Sequence, residues 1–192
     1  MRLRILVAAT VLLANPARAQ VAVSVASGTL AHNCFVSALA TVKTGTRLVR
    51  DGMDNCNAAL EGPMASVDRA ATYDNRGILF NVEENYPSAW QDFNTSIKFN
   101  PKLGDAYVNR GVALIRMQKV GQAKEDIQNG IALGVSLPEI GYYDLGVADQ
   151  LLGRIPEAYA DFKQALVANP DFTQAAEALK NFKVVTVPPQ NG

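Results

Sequence analysis

The sequence predicts an all-α protein, an α-solenoid of antiparallel helix hairpins, and three observations carry that expectation. The first is an internal repeat. Tyr73-Asp74-Asn75-Arg76-Gly77 returns 34 residues later as Tyr107-Val108-Asn109-Arg110-Gly111, and Ala89, Asp92 and Ile97 return as Ala123, Asp126 and Ile131. A third copy, with one residue inserted, supplies Tyr142, Gly146, Ala158 and Asp161. A fixed period of this size with helix-type spacing inside it marks a helical repeat array. The second observation is an alternation of small and bulky residues within each copy. The third is punctuation: Pro87 and Pro156 stand just before the second helix of their units, where a missing N–H costs nothing, and Pro101 and Pro170 close them.

The unit can be rebuilt from its letters. Gly77, Gly111 and Gly146 fall mid-helix, where glycine costs about 1 kcal/mol relative to alanine. Such a residue fits where a facing helix comes too close for a side chain. Ala89, Ala123 and Ala158 are the small counterparts on the second helix. Phe93, Ile127 and Phe162 follow four residues on, and Ser96, Gly130 and Ala165 are small again. Two closely packed antiparallel helices require this alternation, and three units in a row stabilise one another.

The pattern Tyr-x3-Gly, about eleven residues, then Ala-x3-bulky-x2-small resembles the tetratricopeptide repeat (TPR). The resemblance covers about residues 70–172 and, with degenerate ends, about 30–182. It implies about three TPR units, preceded by a degenerate N-terminal hairpin and followed by a capping helix. It also implies an interaction module rather than a particular partner.

The chain begins with Arg2 and Arg4, an apolar run from Ile5 to Ala14, and Asn15-Pro16-Ala17-Arg18-Ala19. Basic start, short apolar core and small-x-small end read as a secretory signal over 1–19, cut after Ala19. Ten apolar residues fall short of the roughly 20 that span a bilayer, so no stable membrane insertion is expected after cleavage. The expected location is a Gram-negative periplasm or the medium beyond it. Loss of Arg2, Arg4 and Arg18 turns 18 basic against 18 acidic residues into 15 against 18, a net charge of −3. No basic stripe remains to hold phosphates, so nucleic acid is not an expected partner.

Residues 20–66 form an N-terminal region. Val21 to Val25 is mostly apolar, Ser27-Gly28-Thr29 reads as turn and cap, and helices are expected from Leu30 to about Val42 and from Arg47 to Leu60. The second carries Gly52-x3-Cys56-x2-Ala59, the spacing of Ala89-x3-Phe93-x2-Ser96, and so reads as half of a degenerate repeat. Cys34 and Cys56 each lie eleven residues from Gly45, level across a hairpin folded there. In an oxidising compartment this favours a disulfide over two buried thiols. With His32 the only histidine, a structural zinc site lacks ligands, and no metal or cofactor is expected.

The array itself is expected over 67–183, with Ser66 capping its first helix. Arg76 and Arg110 stand where the TPR pattern usually has leucine, and Asp92, Asp126 and Asp161 recur on the second helices, which suggests Arg–Asp pairs that set the hairpin angle. Leu145 breaks that series. The resemblance places first helices along a concave groove. That puts Asn75, Ile78 and Asn81 on the groove from the first unit, Asn109, Val112 and Arg116 from the second, and Tyr143, Asp144 and Val147 from the third. A ladder of asparagine amides can hold a peptide backbone without reading its sequence. The same residues can equally stitch one helix to the next. TPR proteins that grip a C-terminal carboxylate use lysines on these faces; here Asp74 stands at one such place and the lysines are absent. Trp90 is expected to pack between repeats. Asp171 is placed to cap a last helix to about Phe182, with 184–192 a disordered tail.

No enzyme is expected. Acyl transfer would have to use His32, outside the repeats, and pairs such as Glu83-Glu84 are ordinary solvated charges. The leading expectation is a protein or peptide partner in the groove. The alternative is an accessory subunit of an envelope complex that docks by its convex face.

Overall fold

A computed structural model describes residues 3–7, 22–25, 28–44 and 49–186. The described helices are α1 (Thr29–Thr44), α2 (Val49–Glu61), α3 (Ser66–Val82), α4 (Tyr86–Phe99), α5 (Gly104–Arg116), α6 (Val120–Leu133), α7 (Pro138–Leu151), α8 (Ile155–Ala168) and α9 (Thr173–Leu179). Consecutive helices pack as hairpins, α1 on α2, α3 on α4, α5 on α6 and α7 on α8, and each hairpin packs on the next. This is the α-solenoid expected from the repeat.

The mid-helix glycines show why the hairpins close. A Cβ at Gly77 would lie 2.6 Å from the Phe93 ring, at Gly111 2.5 Å from Ile127 Cγ1, and at Gly146 2.8 Å from the Phe162 ring. The degenerate hairpin has its close-packed glycine on the second helix instead, where a Cβ at Gly52 would meet Ser37 of α1 at 2.8 Å and Leu79 of α3 at 2.9 Å. In the three repeats, the bulky residue of the second helix occupies the space that its own unit's glycine leaves open.

The turns inside the three units repeat as faithfully. Glu84, Gln118 and Gly153 hold equivalent positions with φ of 59°, 62° and 73°. At each turn the next residue's N–H reaches back five residues, Asn85 to Phe80, Lys119 to Leu114 and Arg154 to Asp149, while the left-handed residue itself bonds three back. That pair of bonds is the Schellman ending of a helix.

Cys34 and Cys56 form a disulfide, with Cα atoms 4.7 Å apart, and tie α1 to α2. The bend was expected over Lys43–Thr46, but α1 runs on through Thr44, and 45–48 lie outside the described residues. One apolar cluster joins this hairpin to α3 and α4 and takes in Ala113 of α5. A second runs from α5 through α8 to Ala175 and Phe182.

Several expected boundaries are corrected. Ser66 is the first residue of α3, not its cap; Ala65 holds the cap position with no side-chain bond. Asp171 does not cap α9, because Phe172 occupies that position and Asp171 N–H bonds Asn169 Oδ1 in the preceding turn. The last helix stops at Leu179 rather than Phe182. Phe182–Thr186 is a strand, β2, so the expected tail begins as ordered chain through Thr186, and 187–192 lie outside the described residues. The run Val184-Val185-Thr186 is β-branched, which suits a strand better than a helix. β2 pairs antiparallel with Leu3–Val7, β1, in the register Leu3 to Thr186 and Val7 to Phe182. β1 falls inside the expected signal, and the remainder of 1–19 lies outside the described residues. Cleavage after Ala19 would leave β2 without that partner.

Candidate functional site

The repeat places one polar column on the first helices, Asn75 on α3, Asn109 on α5 and Asp144 on α7. All three are fully buried. Asn75 holds backbone: its Nδ2–H donates to Val23 O at 2.7 Å, and its Oδ1 accepts from Val23 N–H at 2.8 Å. Asn109 joins helices instead, donating from Nδ2 to Asp74 Oδ2 on α3 at 3.0 Å. Asn109 thus stitches one helix to the next, while Asn75 holds a stretch of this chain's own backbone. Asp144 has neither carboxylate oxygen bonded, and burial holds its pKa well above the usual carboxylate range. Burial does the same to Asp74, with the Asn109 bond opposing it in part.

The other expected groove residues are mostly covered. Ile78, Val112 and Val147 are buried, and Asn81 is buried with neither side-chain polar atom bonded. Tyr143 is buried against the rings of Phe162 and Phe172, at 5.5 and 5.6 Å, and burial pushes its hydroxyl up to about 12, with Asp144 adding to the shift. Arg116 is the half-buried one, donating from Nε and Nη2 to Tyr86 Oη at 3.0 and 2.8 Å.

The expected Arg–Asp pairs form in the two units that carry both residues. Arg76 grips Asp92 through Nε and Nη2 at 2.7 and 2.8 Å, and Arg110 grips Asp126 at 2.7 and 2.6 Å. Each arginine also reaches the preceding second helix, Arg76 to Asn57 Oδ1 at 2.8 Å and Arg110 to Asn94 Oδ1 at 2.6 Å. The asparagines were not singled out from the sequence. The signal was present, since Asn57 follows Gly52 by the same five residues as Asn94 follows Ala89.

In the third unit Leu145 leaves Asp161 without that arginine. Asp161 lies beside Asp149, whose Oδ1 accepts from Lys124 Nζ at 2.6 Å. Burial first, and then the Asp149 carboxylate, push the Asp161 carboxyl up to about 7. Trp90 belongs to neither apolar cluster and is 37% exposed on α4, which corrects the packing role expected of it. Its neighbour Ala89 takes the inward position, so the next residue is turned away from the hairpin interface.

The fold defined by these hairpins, turns and glycine contacts is a TPR-type solenoid. The TPR domain of Arabidopsis OM64 is similar, with 25% identity and a TM-score of 0.57 over 60% of this chain and 94% of that one. So is the second TPR domain of human RPAP3, solved in complex with the HSP70 peptide SGPTIEEVD, with 27% identity and a TM-score of 0.54 over 58% of this chain and 92% of that one. MamA from Desulfovibrio magneticus RS-1 shares the fold over a longer stretch, 80% of this chain and 84% of that one, with 16% identity and a TM-score of 0.61. No protein-family model matches the chain, and no curated protein matches it by sequence.

Proposed function

We propose that this chain is an exported TPR interaction module, without catalytic activity, that takes an extended peptide or an extended segment of a partner protein in its concave groove. The observation that carries this reading is the pair of bonds from Asn75 to Val23. One side-chain amide there engages both the N–H and the C=O of a single backbone residue, the contact that a sequence-tolerant peptide groove needs. The similar RPAP3 domain binds its HSP70 peptide as a TPR domain. The ligand proposed here differs in chemistry. The clamp lysines are absent, and fully buried Asp74 replaces one of them, so an acidic C-terminal tail is not the expected partner. Export, to the periplasm or beyond, rests on the character of residues 1–19.

A second reading has one observation in its favour. Trp90, exposed on a second helix, offers an aromatic anchor for docking on the convex face. Photo-crosslinking in the living host separates the two. Asn109 is buried, so one probe belongs at half-buried Arg116 on the groove row and the other at exposed Gln128 on α6. A discrete protein adduct from Arg116 alone is expected. An adduct from Gln128 alone would replace groove binding by convex docking.

A further inference from the structure

We propose that residues 22–25 are a tethered competitor for the groove, a built-in occupant that a partner's backbone must displace before it engages Asn75. The inference rests on the groove reading above and adds regulation to it. Val23 is 52 residues from Asn75 in sequence, so their contact is tertiary. Asn75 is fully buried and both polar groups of its amide are committed to Val23, one as donor and one as acceptor. A partner strand using that amide meets it already filled. Ala22 packs beside the same site, against the apolar cluster that contains Ile78 and the disulfide. The tether is short. Two residues separate Val25 from Gly28, and α1 starts at Thr29 and is held to α2 by the Cys34–Cys56 bond. A segment on so short a lead competes at an effective concentration on the order of millimolar.

A partner that displaces the stretch must make more contacts than its four residues do, so the partner that wins is an extended peptide longer than that stretch.

The test uses the full chain purified from its own host, with and without Val23→Pro, and a fluorescent synthetic peptide of the sequence Gln20 to Ala26. Proline deletes the N–H that Asn75 accepts and leaves the groove residues untouched. Wild type is expected to bind the peptide weakly and V23P about tenfold more tightly, as loss of a tethered competitor implies. Adding Asn75→Ala to V23P should abolish binding. Equal affinity of wild type and V23P overturns the proposal. If V23P does not fold, replacing Ala22 to Val25 by Gly-Ser-Gly-Ser serves the same purpose. A measurement on wild type alone stands beside these: the Val23 amide must be protected from hydrogen exchange, and exchange at the free-peptide rate overturns the proposal. So does a dimer that V23P dissolves, because the occupant would then belong to a second copy. The Arg116 cross-link separates this proposal from the groove reading. A severalfold stronger adduct in V23P supports the competitor. An unchanged adduct overturns the competitor and leaves groove binding standing, and no adduct in either strain removes both.

Discussion

At Gly111 two effects of opposite sign meet. An alanine would gain about 1 kcal/mol in helix propensity. Its Cβ would also sit 2.5 Å from Ile127 Cγ1 and 3.1 Å from the Ala123 carbonyl oxygen, and the carbonyl belongs to a helix that cannot step aside. Overpacking of this kind costs about 1–3 kcal/mol, so Gly111→Ala is expected to lower the urea midpoint with an unchanged m value. In an Ile127→Ala background the side-chain part of the clash is gone and only the Ala123 carbonyl contact remains, so the same change should cost less, and a double-mutant cycle measures the difference. Asp161 poses an electrostatic question. Its folded pKa of about 7 lies above the ordinary 3.8. The folded state therefore holds a proton that the unfolded state releases between those values, and stability falls as pH rises from about 4 to 7. Asp161→Asn is expected to flatten that slope and to raise the melting temperature at pH 7.5. The residue is half-exposed, so solvent screening limits the gain to roughly 2–4 °C. An unchanged slope in the variant would locate the titration elsewhere, at Asp74 or Asp144.

Among the elements, the hairpin turns carry the clearest internal control. The third unit places Gly153 at the left-handed turn position, while the first two place Glu84 and Gln118 there. An L-residue in that conformation is strained by about 1–2 kcal/mol, part of which glycine returns as unfolded-state entropy. Gln118→Gly is expected to stabilise the chain by about 0.5–1 kcal/mol in equilibrium unfolding. The disulfide acts on another element. Reduction, or paired Cys34→Ser and Cys56→Ser, should cost about 3 kcal/mol and be read as a lower denaturant midpoint. The repeat units were legible in the sequence because their determinants are local and recur three times. The glycine-to-bulky contacts and the Arg76–Asp92 and Arg110–Asp126 pairs follow from spacing alone, and the prolines expected just before α4 and α8 sit one step further in, as the second residue of each helix. The disulfide was legible from the symmetry of the two cysteines about Gly45 and from an expected oxidising compartment. Helix ends were less so, because Ser66 and Asp171 have the right chemistry for caps but their backbones sit one position away from the role. The Asn75–Val23 contact was not legible at all. It joins a helix to a stretch with no periodicity of its own, and nothing local announces the pairing. Burial of most of the expected groove residues was equally hidden, since a one-dimensional pattern places residues on a face without saying what lies over it.

For the whole molecule, stability in a solenoid is a sum over neighbours, so a lesion at one end should stay near that end. The two apolar clusters make this concrete. α5 belongs to both, with Ala113 in the N-terminal cluster and Leu114 and Ile115 in the C-terminal one, so a single helix couples the halves. At the C-terminal end Phe182 closes the array, its ring 5.6 Å from Tyr159 and 5.8 Å from Phe162. Phe182→Ala removes a buried aromatic, at a cost of about 3 kcal/mol. Hydrogen exchange is expected to show lost protection in α7, α8 and α9, with α1 to α4 retained, because their cluster and disulfide are untouched. Disulfide reduction should give the mirror image, exposing α1 and α2 while α7 and α8 keep their protection. The comparison bears on function as well as stability. Asn75 and the stretch that occupies it lie in the N-terminal half, and unbonded Asp144 lies in the C-terminal half. If the two lesions loosen their own halves only, a peptide spanning the proposed groove must supply the coupling itself, and its binding should restore protection at the damaged end. If either lesion instead lowers protection evenly from α1 to α9, the chain unfolds as one unit, and the proposed groove is rigid from end to end before any partner arrives.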